Sequence, residues 1–177
     1  MKVWGFFMQI FIVMEYPYKQ FYCEENIYKF LQLTKDDVYE SYALFITNEN
    51  KNILVENHQF RGWDYHVVGM IKNKKDDGYT IIDFDSNLGR EQEFISYIEK
   101  HFIDEESNPQ FRVVPYDILM DKFKTDRSHM VKKELGTPAW NKLHNESNLF
   151  THFLNLQKDI EGTSIYNKKE LIHAYGK

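Results

Sequence analysis

Apolar and polar residues follow two periodicities along this chain, which predict a mixture of helices and strands. Between Glu24 and Leu33 apolar residues recur at helical spacing, and a polar segment follows, so we predict a helix that begins at Cys23. Similar spacing predicts helices over residues 90–102, 116–123 and 168–175. Short apolar segments predict strands over residues 41–47, 52–55, 64–71, 79–85 and 111–115. This order predicts an α+β fold with helices packed on a mainly antiparallel sheet.

The polar segment between the strands predicted over residues 64–71 and 79–85 indicates an antiparallel hairpin. A turn centred near Lys74 and Lys75 puts His66 opposite Asp83, and directly opposed residues project to the same face of a sheet. The imidazole and the carboxylate can then share a hydrogen bond.

Two further aspartates compete with Asp83 for the role of partner to His66. Asp85 points to the same face, but in this register it lies opposite Asp64, and opposed carboxylates repel one another. We therefore expect Asp83 to be the inner partner and Asp85 to lie at the rim. Asp64, Asp85 and His66 suggest a metal site instead, but no histidine-rich spacing supports one. We expect no metal.

Cys23 is the only cysteine and stands at the start of the first predicted helix. A helix N-terminus favours a thiolate and supplies backbone N–H groups for an oxyanion. Glu24 and Glu25 add negative charge, which raises the pKa of a thiol, so a nucleophile here needs a cation, and His66 is the candidate. Cys on a helix start, His on one strand and Asp on the next is typical of a catalytic triad. The alternative is a buried, inert thiol.

Composition narrows the classes of protein further. Hydrophobic residues make up 42% and aromatic residues 16% of the 177 residues, so we expect a folded chain with a single domain over residues 1–177. A net charge of −5 and the lack of a basic cluster argue against a nucleic-acid partner. A single cysteine favours a reducing, intracellular compartment.

The first 14 residues are largely apolar. The segment is shorter than the roughly 20 residues of a membrane-spanning helix, and no small-residue cleavage site follows it. We interpret it as an N-terminal extension, packed as an ordinary strand or helix, and expect no membrane association.

Several segments resemble one known family. FYCEENIYKF, YALFITNE, WDYHVVGM, IIDFDS, PQFRVV and TDRSHM occur in the same order as in the protein N-terminal glutamine amidohydrolases. The resemblance covers residues 18–130 and resumes weakly at NLFTHF and IYNKKELIHAYG. It implies an α-β-α sandwich related to papain and the transglutaminases, and a triad of Cys23, His66 and Asp83. Only Pro138 remains of a proline-rich stretch that the family has after DRSHM, so residues 132–146 are expected to differ in shape.

The resemblance implies hydrolysis of N-terminal glutamine to glutamate, with release of ammonia, through a thioester and without a cofactor. It also implies the cytoplasm or nucleus as location, within the N-degron pathway, and we expect a monomer. Cysteine proteases and transglutaminases use the same triad, and a non-catalytic module that binds N-terminal glutamine is a third alternative.

Substrate contacts follow from the chemistry of a free N-terminus. Its α-ammonium needs a carboxylate or carbonyl partner, for which Glu24 and Glu25 are the candidates. The alternative role, at least for one of them, is stabilisation of the helix dipole in the first turn. Trp63 either lines the substrate pocket or anchors its strand. TDRSHM predicts a polar turn held by local hydrogen bonds of Asp126, Arg127 and Ser128.

Overall fold

A computed structural model describes residues 16–130 and 136–176. Within them six strands form one antiparallel sheet in the order β10-β7-β1-β4-β5-β6. The strands of this sheet are β1 Tyr39–Thr47, β4 His66–Asn73, β5 Thr80–Ile82, β6 Glu91–Glu93, β7 Gln110–Pro115 and β10 Ser164–Asn167. Two strand pairs lie outside it, β2 Ile53–Leu54 with β3 Gly62–Trp63 and β8 Phe123–Lys124 with β9 Ser147–Asn148. The helices are α1 Cys23–Leu33, α2 Phe94–His101, α3 Tyr116–Lys122, α4 Lys168–Tyr175 and the π-helical turn Leu149–Phe153.

The sheet separates two hydrophobic cores, because alternate residues of each strand project to opposite faces. On one face Phe45 and Val67 pack in a core with α1, α3 and the π-helical turn. On the other, Leu44 and Val68 pack in a core with α2 and α4. The result is the three-layer α+β arrangement that the family resemblance implied.

Three of the four predicted helices begin where the sequence predicts. The predicted starts at Cys23, Tyr116 and Lys168 are confirmed. The helix predicted over residues 90–102 is too long, because residues 91–93 pair with β5 as an edge strand and α2 begins only at Phe94. Glu93 then caps α2 by accepting the backbone N–H groups of Ile95 and Ser96. The strand predicted over residues 52–55 is confirmed as β2, whereas β3, β8, β9 and β10 were not predicted.

The predicted hairpin forms, but its register is wrong by two residues. Gly69 lies opposite Ile82, so the turn is centred between Lys75 and Asp76 rather than one residue earlier. The reason is local: the side chain of Asn73 accepts the N–H of Lys75 at 2.9 Å, and its carbonyl accepts that of Asp76 at 2.9 Å, which starts the turn at Asn73. Continued past β5, this register would place His66 opposite Asp85, although β5 ends at Ile82.

In the described part of the chain, no helix is long and apolar enough to cross a membrane. The apolar segment at residues 1–14 lies outside the described residues.

Candidate active site

Cys23 is the first residue of α1, and the loop before it is tied to the helix. The side chain of Asn26 accepts the N–H of Lys19 and donates to its carbonyl, both at 2.8 Å. Between them Phe21 adopts a positive φ of 69°, an uncommon conformation for a non-glycine residue. Tyr22 makes no side-chain cap to the helix. The two hydrogen bonds between the Asn26 side chain and the Lys19 backbone therefore hold the thiol at the N-terminus of α1.

The thiol itself is buried beside β4. The backbone N–H of Val67, the residue after His66, acts on the thiol by lowering its pKa. Sγ also lies 3.5 Å from Oε2 of Glu24. Burial first, and then the negative charges of Glu24 and Asp85, raise the pKa of Cys23 well above its usual range. The resting group is thus a protonated thiol at neutral pH.

His66 begins β4 and has two differently used ring nitrogens. Nε2 lies 3.1 Å from Oδ1 of Asp83, whereas Nδ1 is buried and has no hydrogen-bond partner in the described part of the chain. Burial lowers the pKa of His66, but the charge and hydrogen bond of Asp83, together with the charges of Asp85 and Glu24, raise it, and the net shift is upward. The ring of Trp63 packs 5.1 Å from that of His66, and its Nε1 donates to the carbonyl of Phe60 at 2.7 Å.

Asp83 follows β5 directly and is surrounded by donors. Oδ1 also accepts the backbone N–H of Asp85 at 2.9 Å, and Oδ2 accepts the hydroxyl of Tyr97 at 2.7 Å. Nε2 of His58 lies 2.8 Å from Oδ2 but does not meet hydrogen-bond geometry. Burial raises the pKa of Asp83, but His66 and His58 lower it by more, to well below its usual range. Asp83 is thus an ionised carboxylate between two imidazoles.

Sequence reasoning missed three of the residues around Asp83: His58, Tyr97 and His101. His101 places Nδ1 3.0 Å from the carbonyl of Tyr97 and Nε2 2.9 Å from Oγ of Ser86. Burial lowers the pKa of His101, which favours the neutral ring. No local motif marks these residues, since they come from a loop and from α2.

Two groups of side chains here have the spacing of metal ligands. They are His58 with Asp83 and His101, and His66 with Asp83 and Asp85. In both, the oxygens of Asp83 already accept from protein donors, and in the first both nitrogens of His101 are also engaged. A cation would have to displace these contacts, and the absence of a metal stays a prediction.

The two glutamates after Cys23 have different partners. Glu25 is fully buried. Its carboxylate accepts hydrogen bonds from Nε and Nη2 of Arg127 at 2.7 and 2.6 Å, and from Nε1 of Trp140 at 2.6 Å. Glu24 is equally buried, and Oε2 accepts the hydroxyl of Tyr65 at 3.1 Å. Burial, followed by the charge of Glu25, raises the pKa of Glu24 to about 7.

The segment TDRSHM forms the predicted turn only in part. Asp126 accepts the N–H and hydroxyl of Ser128 at 3.0 and 2.5 Å, as expected. Arg127 contributes its predicted local bond through the backbone, where its carbonyl accepts the N–H of Met130 at 3.2 Å. Its side chain instead reaches across to Glu25, because a buried carboxylate needs a countercharge. His129 contacts the hydroxyl of Tyr65 at 3.1 Å, so this turn packs against the residues that surround the thiol.

Comparison with known proteins identifies the family. The sequence profile of the N-terminal glutamine amidase family matches residues 18–175, which include every helix and strand of the described chain. Proteins named Protein N-terminal glutamine amidohydrolase share this similarity. The one from Caenorhabditis elegans is 30% identical over 90% of this chain and 96% of its own length. Those from Homo sapiens and Bos taurus are 32% and 33% identical, over 90% and 89% of this chain and 87% and 86% of their own. Since the similarity spans nearly the whole chain, this protein belongs to the N-terminal glutamine amidase family.

Proposed function

We propose that this protein hydrolyses the side-chain amide of an N-terminal glutamine in proteins or peptides, leaving glutamate and releasing ammonia. The observation that carries the proposal is the family match over residues 18–175. The geometry supports it. The thiol of Cys23 lies at a helix N-terminus, beside the strand that begins with His66. Asp83 contacts Nε2 of His66 and so orients its ring.

In the first half of the proposed reaction, Cys23 is the nucleophile. Its proton passes to Nδ1 of His66, the nitrogen that no described residue engages, and the thiolate attacks the carboxamide carbon. N–H groups at the start of α1 stabilise the oxyanion. As the C–N bond breaks, the His66 imidazolium donates its proton to the departing ammonia, and a thioester remains.

In the second half, a water molecule hydrolyses the thioester. His66 takes a proton from the water, whose oxygen attacks the thioester carbon, and the proton then returns to the sulfur as the glutamate leaves. Asp83 keeps Nε2 protonated and stabilises the imidazolium in both halves. No metal or cofactor enters this sequence.

Of the residues proposed to bind substrate, Glu24 has the most suitable position. Its Oε2 is 3.5 Å from the sulfur, so it can accept an N–H of the carboxamide that the sulfur attacks. A product carboxylate would face the same glutamate and be repelled, which favours release. Glu25 is already engaged by Arg127 and Trp140 and holds the start of α1. Trp63 is proposed as a wall of the pocket beside His66.

The test is ammonia release from three matched peptides, with glutamine at the N-terminus, with the same glutamine Nα-acetylated, and with glutamine second. We expect release from the first alone. Comparable kcat/KM for the acetylated peptide would point to a general glutaminyl amidase or a transglutaminase. Binding of the first peptide without ammonia release would indicate a non-catalytic module, and backbone cleavage a protease. Location in cytoplasm or nucleus and the monomeric state stay predictions.

A further inference from the structure

One carboxylate oxygen of Asp85 has no hydrogen-bond partner among residues 16–130 and 136–176. Oδ1 accepts the hydroxyl of Tyr18 at 2.7 Å, whereas Oδ2 is covered from solvent and no donor in this part of the chain reaches it. No Lys or Arg forms an ion pair with Asp85 anywhere in residues 16–130 and 136–176. A covered, unsatisfied carboxylate oxygen costs free energy, and a donor supplied by a ligand would recover it.

This carboxylate is held beside the proposed catalytic groups. An oxygen of Asp85, an oxygen of Asp83 and a ring nitrogen of His66 all lie within 4.8 Å of one another. The backbone N–H of Asp85 is fixed on Oδ1 of Asp83 at 2.9 Å, so the turn that orients one aspartate also orients the other. The charge of Asp85 also raises the pKa of the Cys23 thiol, which shows that the two groups share one electrostatic environment.

The proposed substrate differs from an internal glutamine by its α-ammonium. In glutamine the α-nitrogen lies four bonds, at most about 5 Å, from the carboxamide carbon. A carboxylate that binds this ammonium must therefore lie within about 8 Å of the reacting carbon, once a hydrogen bond is added. Asp85 is the candidate, because it lies within 4.8 Å of His66 and its charge acts on the Cys23 thiol. Of the other nearby carboxylates, Glu25 is already paired with Arg127, and Glu24 lies against the sulfur.

We infer that Asp85, oriented by Tyr18, binds the α-ammonium of the substrate and so confines the enzyme to chain termini. This inference rests on the proposed function, of which it names the specificity-determining residue. The ammonium donates to Oδ2 and supplies the missing countercharge. An Nα-acetylated terminus carries no charge and brings bulk in its place, and an internal glutamine carries a peptide N–H there.

The test combines replacement of Asp85 in the protein with removal of the α-amine from the substrate, in the manner of a double-mutant cycle. One peptide begins with glutamine, and the other with its desamino analogue, a 4-carbamoylbutanoyl group, in which hydrogen replaces the ammonium. Each is assayed for ammonia release with the wild type, with Asp85→Asn and with Asp77→Asn, a control in the exposed hairpin turn. We expect Asp85→Asn to lower kcat/KM for the glutamine peptide about ten- to a hundredfold, and to change that for the analogue less than threefold. Equal losses on both peptides, or none on either, would overturn the inference.

A second variant and a binding measurement keep the test decisive if Asp85→Asn folds poorly. Tyr18 is 45% exposed, so Tyr18→Phe should fold. It should lower kcat/KM for the glutamine peptide several-fold and leave that for the analogue nearly unchanged. Calorimetric Kd values for both peptides in a Cys23→Ala background, with and without Asp85→Asn, measure recognition without chemistry. If the wild type releases no ammonia but the Kd values show the amine-specific loss, the proposed hydrolysis fails and the ammonium site stands. If the wild type releases ammonia but Asp85→Asn causes no amine-specific loss of affinity, the proposed hydrolysis stands and the ammonium site fails.

Discussion

Nε2 of His66 lies 3.1 Å from Oδ1 of Asp83, although the two residues do not face each other across the sheet. Asp83 lies just beyond the end of β5, where its N–H is held by the carbonyl of Arg90 at 2.8 Å. Its side chain turns toward His66 because Tyr97, from α2, and the N–H of Asp85 hold the two oxygens from other directions. The pair is thus oriented by contacts outside the strands, and each contact can be removed separately.

Replacing Cys23 by Ala should abolish ammonia release and leave the fold intact. The thiol contributes a small buried volume, whereas water cannot replace it as a nucleophile at a useful rate. Ammonia release and far-UV circular dichroism of the purified variant test both halves of this expectation. Turnover close to that of the wild type would exclude the thioester route.

Asp83→Asn should lower kcat by several orders of magnitude, because a neutral amide neither keeps Nε2 protonated nor stabilises the imidazolium. Asp85→Asn should act mainly on KM for a glutamine-initiated peptide, since its proposed contact is made by bound substrate as well as transition state. Steady-state kinetics at saturating peptide separate the two variants. The reverse ranking of kcat would show that the catalytic carboxylate is Asp85.

His58→Asn should shift the acidic limb of the pH profile to higher pH. His58 contacts Oδ2 of Asp83 at 2.8 Å, and without that contact the carboxylate interacts more strongly with His66 and raises its pKa further. The limb of kcat/KM that requires a proton-accepting His66 then appears at higher pH. The exposed His173→Asn is the control. A uniform loss of activity at every pH would mean that His58 acts only in packing.

Glu24→Gln should stabilise the protein at alkaline pH more than at acidic pH. The folded pKa of Glu24, about 7, lies above the ordinary value of 4.5, so the folded state holds the extra proton and stability falls as pH rises between these values. By pH 8 the free energy of unfolding of the wild type falls by about 3 kcal/mol for this reason. Glu24→Gln has no group that titrates at this position, so its stability does not fall in this way. Urea unfolding at pH 5 and pH 8 measures the difference.

Glu25→Gln is the matched comparison, one residue away. It leaves the guanidinium of Arg127, whose side chain is 9% exposed, without its carboxylate, which should cost about 3–5 kcal/mol at both pH values. Equal responses of the two glutamine variants to pH would show that the neighbouring carboxylates do not differ as their contacts indicate.

The sequence alone determined those structural elements that depend only on residues close together in the chain. The helical spacing of an apolar stripe and the polar segment after it predicted that α1 begins at Cys23, because helix spacing and helix ends depend on neighbouring residues. Strand alternation predicted that His66 and Asp83 share a face. That prediction survived the error in register, because a shift of two residues preserves which face a side chain occupies. The family motifs pointed to the same residues.

Only the tertiary structure decided how those residues are supported. Arg127 reaches Glu25 across 102 positions of sequence, and His58 and Tyr97 converge on Asp83 from a loop and a helix. Such partners depend on how the layers pack, since a buried charge takes whichever donor the fold brings near it. The unpartnered oxygen of Asp85 has the same origin: strand parity sets the face on which it lies, but packing determines which donors reach it.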